Sequence, residues 1–205
     1  MKHNFYLQGK AIGRYKISKK NLSDFNNKYE KAKKNLVSYG PRLAGRLDSE
    51  LDLMPIIQGT LAFKSITECM KHYIGSLSKF RLLRPGLHDL EIIGCWMNDM
   101  VAGEYNPPHT HHNNTGWSTV LFLKVPEFIN DARDPHKFKD GKLVFVAPDG
   151  ISCEYYDPIV GDFYIFSANH MHCVLPFKTK KPNEIRRSMS FNFIIKENKD
   201  AVKRV

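Results

Sequence analysis

Hydrophobic positions follow two different rhythms along this chain of 205 residues. Up to about residue 90 they recur every three or four positions. In NLSDFNNKYEKAKKNLVSYG, 21–40, Leu22, Phe25, Tyr29, Ala32 and Leu36 fall on one helical face. Ser18 stands where an N-cap belongs, and Gly40 followed by Pro41 reads as a stop. In TLAFKSITECMKHYIGSL, 60–77, a second inward stripe consists of Leu61, Ile66, Cys69, Met70 and Tyr73. PRLAGRLDSELDLMP, between them, reads as irregular.

Beyond residue 90, short runs rich in β-branched and aromatic residues alternate with turn signals. Eight strands are expected, near 91–98, 104–111, 117–125, 142–147, 153–157, 162–166, 171–176 and 186–195. The breakers between them are AG, NNTG, the long PEFINDARDPHKFKDG, PDG, DPIVG and KTKKPNE. Short strands at this spacing predict a mainly β fold with N-terminal helices, closed as a sandwich or barrel. A jelly roll of this kind leaves a mouth for a site. Residues 1–90 are expected to form a helical, basic N-terminal extension packed on the barrel, and 91–205 the barrel itself.

Composition narrows the picture. Hydrophobic residues at 42% and aromatics at 12% are enough to fill a core, which excludes a disordered chain. No run approaches the roughly 20 apolar residues of a membrane span, and the N-terminus does not read as a signal peptide. A cytoplasmic protein without a membrane partner is expected. Cys69, Cys95, Cys153 and Cys173 are scattered and form no CxxC pair, which argues against a zinc ribbon and for reduced, mostly buried thiols. Charge is uneven. The first 90 residues hold 17 of the 31 Lys and Arg but only 7 of the 21 Asp and Glu, so they carry the whole excess of +10. Such a face suits an acidic partner or nucleic acid, or simply a solvated helix surface.

Five of the nine histidines fall into two tight groups. In YNPPHTHHNN, 105–114, His109 and His111 share one face of an extended strand while Thr110 points away. Imidazole is a ready ligand for iron, zinc, copper and nickel, but a His-x-His pair also occurs in ordinary surface loops. The second group, FSANHMHCVLP, carries His170 and His172 and offers a third ligand from a distant strand. In RRSMSFNF, 186–193, Arg186, Ser188 and Ser190 share one face. An arginine facing into a barrel is costly to bury alone, and a bidentate carboxylate partner removes that cost. On an edge strand Arg186 would instead lie in water.

Taken together, YNPPHTHHN, WSTVLFLKVP, GDFYIFSANHMHCVLPF and RRSMSFNF resemble the iron(II)- and 2-oxoglutarate-dependent oxygenases, most clearly over about residues 92–195. The nearest likeness is to small prolyl-hydroxylase-like members from bacteria and marine bacteriophages. CWMN and LAGRLDSE share the likeness less specifically. The resemblance implies an eight-stranded double-stranded β-helix, the jelly-roll or cupin-like barrel. It implies Fe(II) as cofactor, 2-oxoglutarate as co-substrate, and dioxygen with an unidentified substrate as the other reactants. Position by position, His109 and His172 match the family's metal histidines, with His170 as the second choice for the latter. Arg186 and Ser188 match the pair that holds the distal carboxylate of 2-oxoglutarate. His111 stands where the family usually has Asp or Glu, so three neutral imidazoles would face the metal. Asn106, Asn113 and Ser118 are candidates to orient the imidazoles, and Tyr105 and Asn98 to reach the co-substrate. Trp96 and Trp117 are expected in the core, and 127–141 as a lid or substrate contact. Three alternatives stand beside this reading. A cupin-like three-histidine enzyme without 2-oxoglutarate would leave Arg186 and Ser188 unexplained. A non-catalytic binding module would act through the basic N-terminal part. A zinc-stabilised domain would want cysteines among the histidines.

Overall fold

The computed structural model describes residues 3–8, 10–83, 88–111, 115–129 and 140–197. All eight expected strands are present: β4 (His88–Met100), β5 (Asn106–His109), β6 (Trp117–Lys124), β7 (Leu143–Val146), β8 (Cys153–Tyr156), β9 (Asp162–Ser167), β10 (His172–Val174) and β11 (Arg186–Glu197). Four of them run β9-β6-β11-β4 in one sheet, and the other four run β5-β10-β7-β8 in a second.

The larger sheet is extended at both ends by strands from the first 90 residues. A hairpin of β1 (His3–Gln8) and β2 (Lys10–Lys16) pairs onto β9, and β3 (Glu50–Asp52) pairs onto β4, giving seven strands. The N-terminal part is therefore not wholly helical. The hairpin is hidden in the sequence by its charges. Arg14 and Lys16 break the apolar alternation, yet both turn to the carboxylate of Asp162, each at 2.6 Å.

Side-chain alternation sorts the core into two layers. Val120, Phe122, Tyr164 and Phe166 point between the sheets, where they meet Leu143, Phe145 and Val174 of the smaller one. Leu121, Leu123, Phe163 and Ile165 point outward, under the helices. Because β6 and β9 are covered on both faces, their sequences read as unbroken apolar runs. The cover is α1 (Lys19–Ala32) and α3 (Leu61–Lys79), with a short α2 (Met54–Ile57) between them.

Ser18 caps α1 by accepting from the amide of Asn21. The helix stops at Ala32, short of the expected Gly40, because residues 37–39 leave to pair with β3: Asp52 N–H donates to Val37 O and Tyr39 N–H to Glu50 O. Thr60 caps α3, which buries Ala62, Ile66, Cys69, Met70, Tyr73, Ile74 and Leu77. Leu61, expected inward, is 51% exposed: the observed stripe runs through Ala62 and Ile66, and Leu61 lies off it. Within the stretch read as irregular lie β3 and the start of α2. Among the described residues no helix is long and apolar enough to cross a membrane. Cys69, Cys95 and Cys173 are buried free thiols, whereas Cys153 is exposed. Most of the 127–141 segment lies outside the described residues.

Candidate metal centre

β5 and β10 are antiparallel neighbours, and His109 lies directly opposite His172 in their register. β5 ends at His109, but the chain stays pinned for two more residues because His111 N–H donates to Ala168 O at 2.8 Å. That bond keeps His111 turned inward. The outcome is a cluster of three imidazoles, from His109, His111 and His172, whose ligating nitrogens lie within 4.8 Å of one another.

Backbone carbonyls fix which nitrogen each ring offers. His109 Nδ1 sits 2.7 Å from Pro107 O and His172 Nδ1 sits 2.9 Å from His170 O. A carbonyl only accepts, so both Nδ1 atoms carry the proton and both Nε2 atoms present lone pairs. His111 Nε2 and His172 Nε2 approach to 3.1 Å. Two imidazole nitrogens bound cis to one divalent ion at about 2.1 Å lie about 3 Å apart. All three rings are held neutral. Burial pushes His172 well below the ordinary imidazole range, and the charge that would form on His109 and His111 adds to this. Burial, then His109, takes His111 to about 3. Burial also lowers His109, against its bond to Pro107. Neutral imidazoles with converging lone pairs are the form that binds a metal ion.

Arg186 lies in the same barrel, 0% exposed. Its Nε donates to Gly141 O at 3.0 Å, Nη1 reaches Met100 Sδ at 3.3 Å, and its guanidinium carbon stands 4.8 Å from the centre of the Phe122 ring. No carboxylate meets it among the described residues, and its Nη2 has no partner. Burial brings it down to about 9. An unpaired buried guanidinium is costly and invites a carboxylate ligand.

Two cavities adjoin the imidazoles. The inner one, of about 30 Å³, is lined by the three histidines with Ser188, Ser190, Asn98, Asn106, Glu50 and Trp96 among others. The outer one, of about 440 Å³, is bounded by Tyr39, Arg42, Trp96, His109, His111 and Asn192. Trp96 is buried as expected, but its ring belongs to the site. It is stacked between Tyr39 and His111, with centroids 5.2 and 5.7 Å away. Trp117, expected in the core, is half-buried against it, stacked on Phe193 at 5.5 Å.

Asn98, Asn106 and Ser188 thus line the inner cavity. Ser118 is fully buried on β6, opposite Phe166 and Asn192, and does not line either cavity. Tyr105 is 40% exposed, its carbonyl accepting from Arg46 N–H. The His170 ring lies outside the cluster, against Phe145 at 4.9 Å, while its carbonyl orients His172. His112 and Asn113 lie outside the described residues. Sequence reasoning missed Arg42 and Glu50, in the stretch read as irregular, Tyr39, in the stretch read as the end of a helix, and the orienting carbonyls of Pro107 and His170.

Residues 94–192 match the family model described as "Putative 2OG-Fe(II) oxygenase". No curated protein matches the chain. Among the solved structures that share the fold are three prolyl hydroxylases. A prolyl-4-hydroxylase from Pseudomonas putida is 16% identical, with 89% of this chain and 91% of that one covered and a TM-score of 0.60. A Trichoplax adhaerens prolyl hydroxylase, in complex with a hypoxia inducible factor peptide fragment, is 11% identical, with 95% and 87% covered and a TM-score of 0.60. A viral collagen prolyl hydroxylase from Paramecium Bursaria Chlorella virus-1, in a 2-oxoglutarate complex, is 14% identical, with 89% and 94% covered and a TM-score of 0.58. The four-on-four strands are thus the double-stranded β-helix of these enzymes. The barrel region, residues 94–192, thus matches the 2OG-Fe(II) oxygenase family in sequence, and that family implies Fe(II) as cofactor and 2-oxoglutarate as co-substrate; the fold is the one these solved enzymes share.

Proposed function

We propose that the protein is an Fe(II)- and 2-oxoglutarate-dependent hydroxylase. His109, His111 and His172 hold the metal through Nε2 of His109 and His172 and one ring nitrogen of His111. Arg186, with Ser188, binds the distal carboxylate of 2-oxoglutarate. The observation that carries this reading is the fully buried Arg186, unpaired at Nη2, in the barrel that also converges three neutral imidazoles. The family's chemistry is oxidative decarboxylation of 2-oxoglutarate coupled to oxygenation of a second substrate. The chain's own residues fix the ligand geometry through Pro107 O and His170 O, neutralise the co-substrate's far end through Arg186, and keep the inner cavity small. The outer cavity, walled by Tyr39 and Trp96, is the substrate's side. Prolyl side chains are the first substrates to test, because three structures of this fold are prolyl hydroxylases.

Adding Fe(II) and 2-oxoglutarate to the protein without oxygen should produce a visible charge-transfer band. The Arg186→Ala variant should need on the order of 100-fold more 2-oxoglutarate to develop it, the size of loss expected when one side of a buried charge pair is removed. A wild-type protein that binds neither would sink the reading. A band indifferent to Arg186 would keep the metal and favour a three-histidine enzyme without this co-substrate anchor.

A further inference from the structure

Ser188, Asn98 and Glu50 lie side by side across β11, β4 and β3, each directly opposite the next in the strand register. Glu50 is 4% exposed and lines the inner cavity with the three histidines. Among the described residues no cation or hydrogen-bond donor meets its carboxyl group. The neighbouring loop is shaped around it. A Cβ on Gly45 would lie 2.5 Å from Glu50 Oε1 and 2.6 Å from Asn106 Oδ1, and one on Gly40 would lie 3.2 Å from Glu50 Oε2. A buried acid without a partner is expensive to keep, which points to a cation that is bound in use.

The ligand set supplies the reason for that cation. Sites with two histidines and one carboxylate place one negative charge on the metal. Here His111 takes the carboxylate's position, and three neutral imidazoles leave the metal's double charge untouched. We propose that Glu50 restores the missing negative charge from outside the ligand set, as a positioning residue that acts on the metal through the cavity they share. The proposal rests on the assignment of His109, His111 and His172 as ligands. It assigns a role to a strand that lies outside the family-matched region, which begins at residue 94. Among the described residues the titratable neighbours of Glu50 are Glu104, which disfavours its ionisation, and the cavity imidazoles, which are neutral. Burial and Glu104 raise its carboxyl to about 7 in the absence of metal, and a divalent ion in the cavity acts in the opposite direction.

Fe(II) affinity, measured anaerobically on the full chain by calorimetry, tests this in four proteins: wild type, Glu50→Gln, His111→Asp, and both changes together. The pH is set about one unit above Glu50's value of about 7. Glu50→Gln should weaken Fe(II) binding by roughly 10-fold or more, the range of a lost second-layer contact. In the His111→Asp background, where the ligand set carries its own charge, the same change should cost much less. That non-additivity is the signature of a shared charge. Glu50→Asp, which keeps the charge, should stay close to wild type, and thermal melting checks that each variant folds. Equal losses in both backgrounds, unchanged affinity in Glu50→Gln, or an Asp variant as weak as the Gln variant would each overturn the role of Glu50. A wild-type protein that takes up no Fe(II) would overturn the ligand assignment itself.

Discussion

Arg187 turns its guanidinium to the outer face of β11, where Nε and Nη2 meet the two oxygens of Asp99 at 2.6 and 2.7 Å. Arg186, one residue earlier, points between the sheets and meets no carboxylate among the described residues. The same side chain is satisfied on one face of the strand and lacks a carboxylate partner on the other, which supports the binding role proposed for Arg186. The difference predicts opposite effects of substitution. Arg186→Met removes a buried charge and should raise the stability of the ligand-free protein by about 1–4 kcal/mol, a gain of several degrees in melting temperature, while abolishing 2-oxoglutarate binding. Arg187→Met leaves Asp99 without its cation, held only by the Tyr29 hydroxyl, and should destabilise. Paired melting curves check both. The histidines bring a pH dependence with a definite sign. Their folded values lie below the ordinary 6.5, so the unfolded chain binds more protons as pH falls. Stability from this source is complete above about 6.5 and is lost progressively toward His111's value of about 3. The metal-free melting temperature should therefore drop from pH 7 to 5, and less so in His111→Gln. At this scale the sequence was legible wherever parity alone decides direction, as at His109, Arg186 and Ser188, whereas His111 lies beyond the end of β5 and is turned inward by its bond to Ala168. It was silent at Glu50, whose place beside Asn98 depends on a pairing between segments 48 residues apart.

At the scale of elements, what could be read was whatever one run of residues decides alone. The eight barrel strands have their own apolar runs and their own breakers. The β1–β2 hairpin and β3 do not, and become strands only because β9 and β4 offer them free edges. The same dependence shortened α1, whose last expected turn was drawn off by β3. The turns into β6 and β9 carry a constraint that the pattern marks only as a breaker. Gly116 has φ of 76° and a Cβ there would lie 2.4 Å from Phe193 O; Gly161 has φ of 91° and a Cβ there would lie 2.7 Å from Ile17 O. Both conflicts are with backbone, so no rotamer change relieves them. Gly116→Ala and Gly161→Ala should each cost about 1–3 kcal/mol, read as a fall in melting temperature or denaturation midpoint. Gly59→Ala is the internal comparison. Its φ of 74° is similar, but nothing lies within 4 Å of the added carbon, so its loss should be the smallest of the three.

For the molecule as a whole, the question is whether the barrel can stand without its first strands. The basic hairpin could be taken for an accessory that supplies charge to a partner, and its removal would then leave a stable enzyme. The packing argues otherwise. Ile12, Tyr15 and Ile17 are each no more than 2% exposed, and they reach both core layers, Ile12 between the sheets and the other two under the helices. Burying three such side chains stabilises by roughly 5–9 kcal/mol, comparable with the entire 5–15 kcal/mol of a typical domain. Deletion would also strip Asp162 of Arg14 and Lys16 while leaving it in a largely covered position, and would open the edge of β9, a strand that is apolar on both faces. An exposed edge of that kind pairs with other chains. A protein beginning at residue 18 should therefore be found in inclusion bodies or as soluble aggregate by size-exclusion chromatography, with no cooperative melting transition and no Fe(II) uptake. Co-expression with residues 1–17 as a separate peptide should rescue part of the soluble fraction, since the missing strands would be restored to the edge they cover. A monomeric, cooperatively melting, Fe(II)-binding truncation would instead show the hairpin to be dispensable and return its charge to the role of a partner surface.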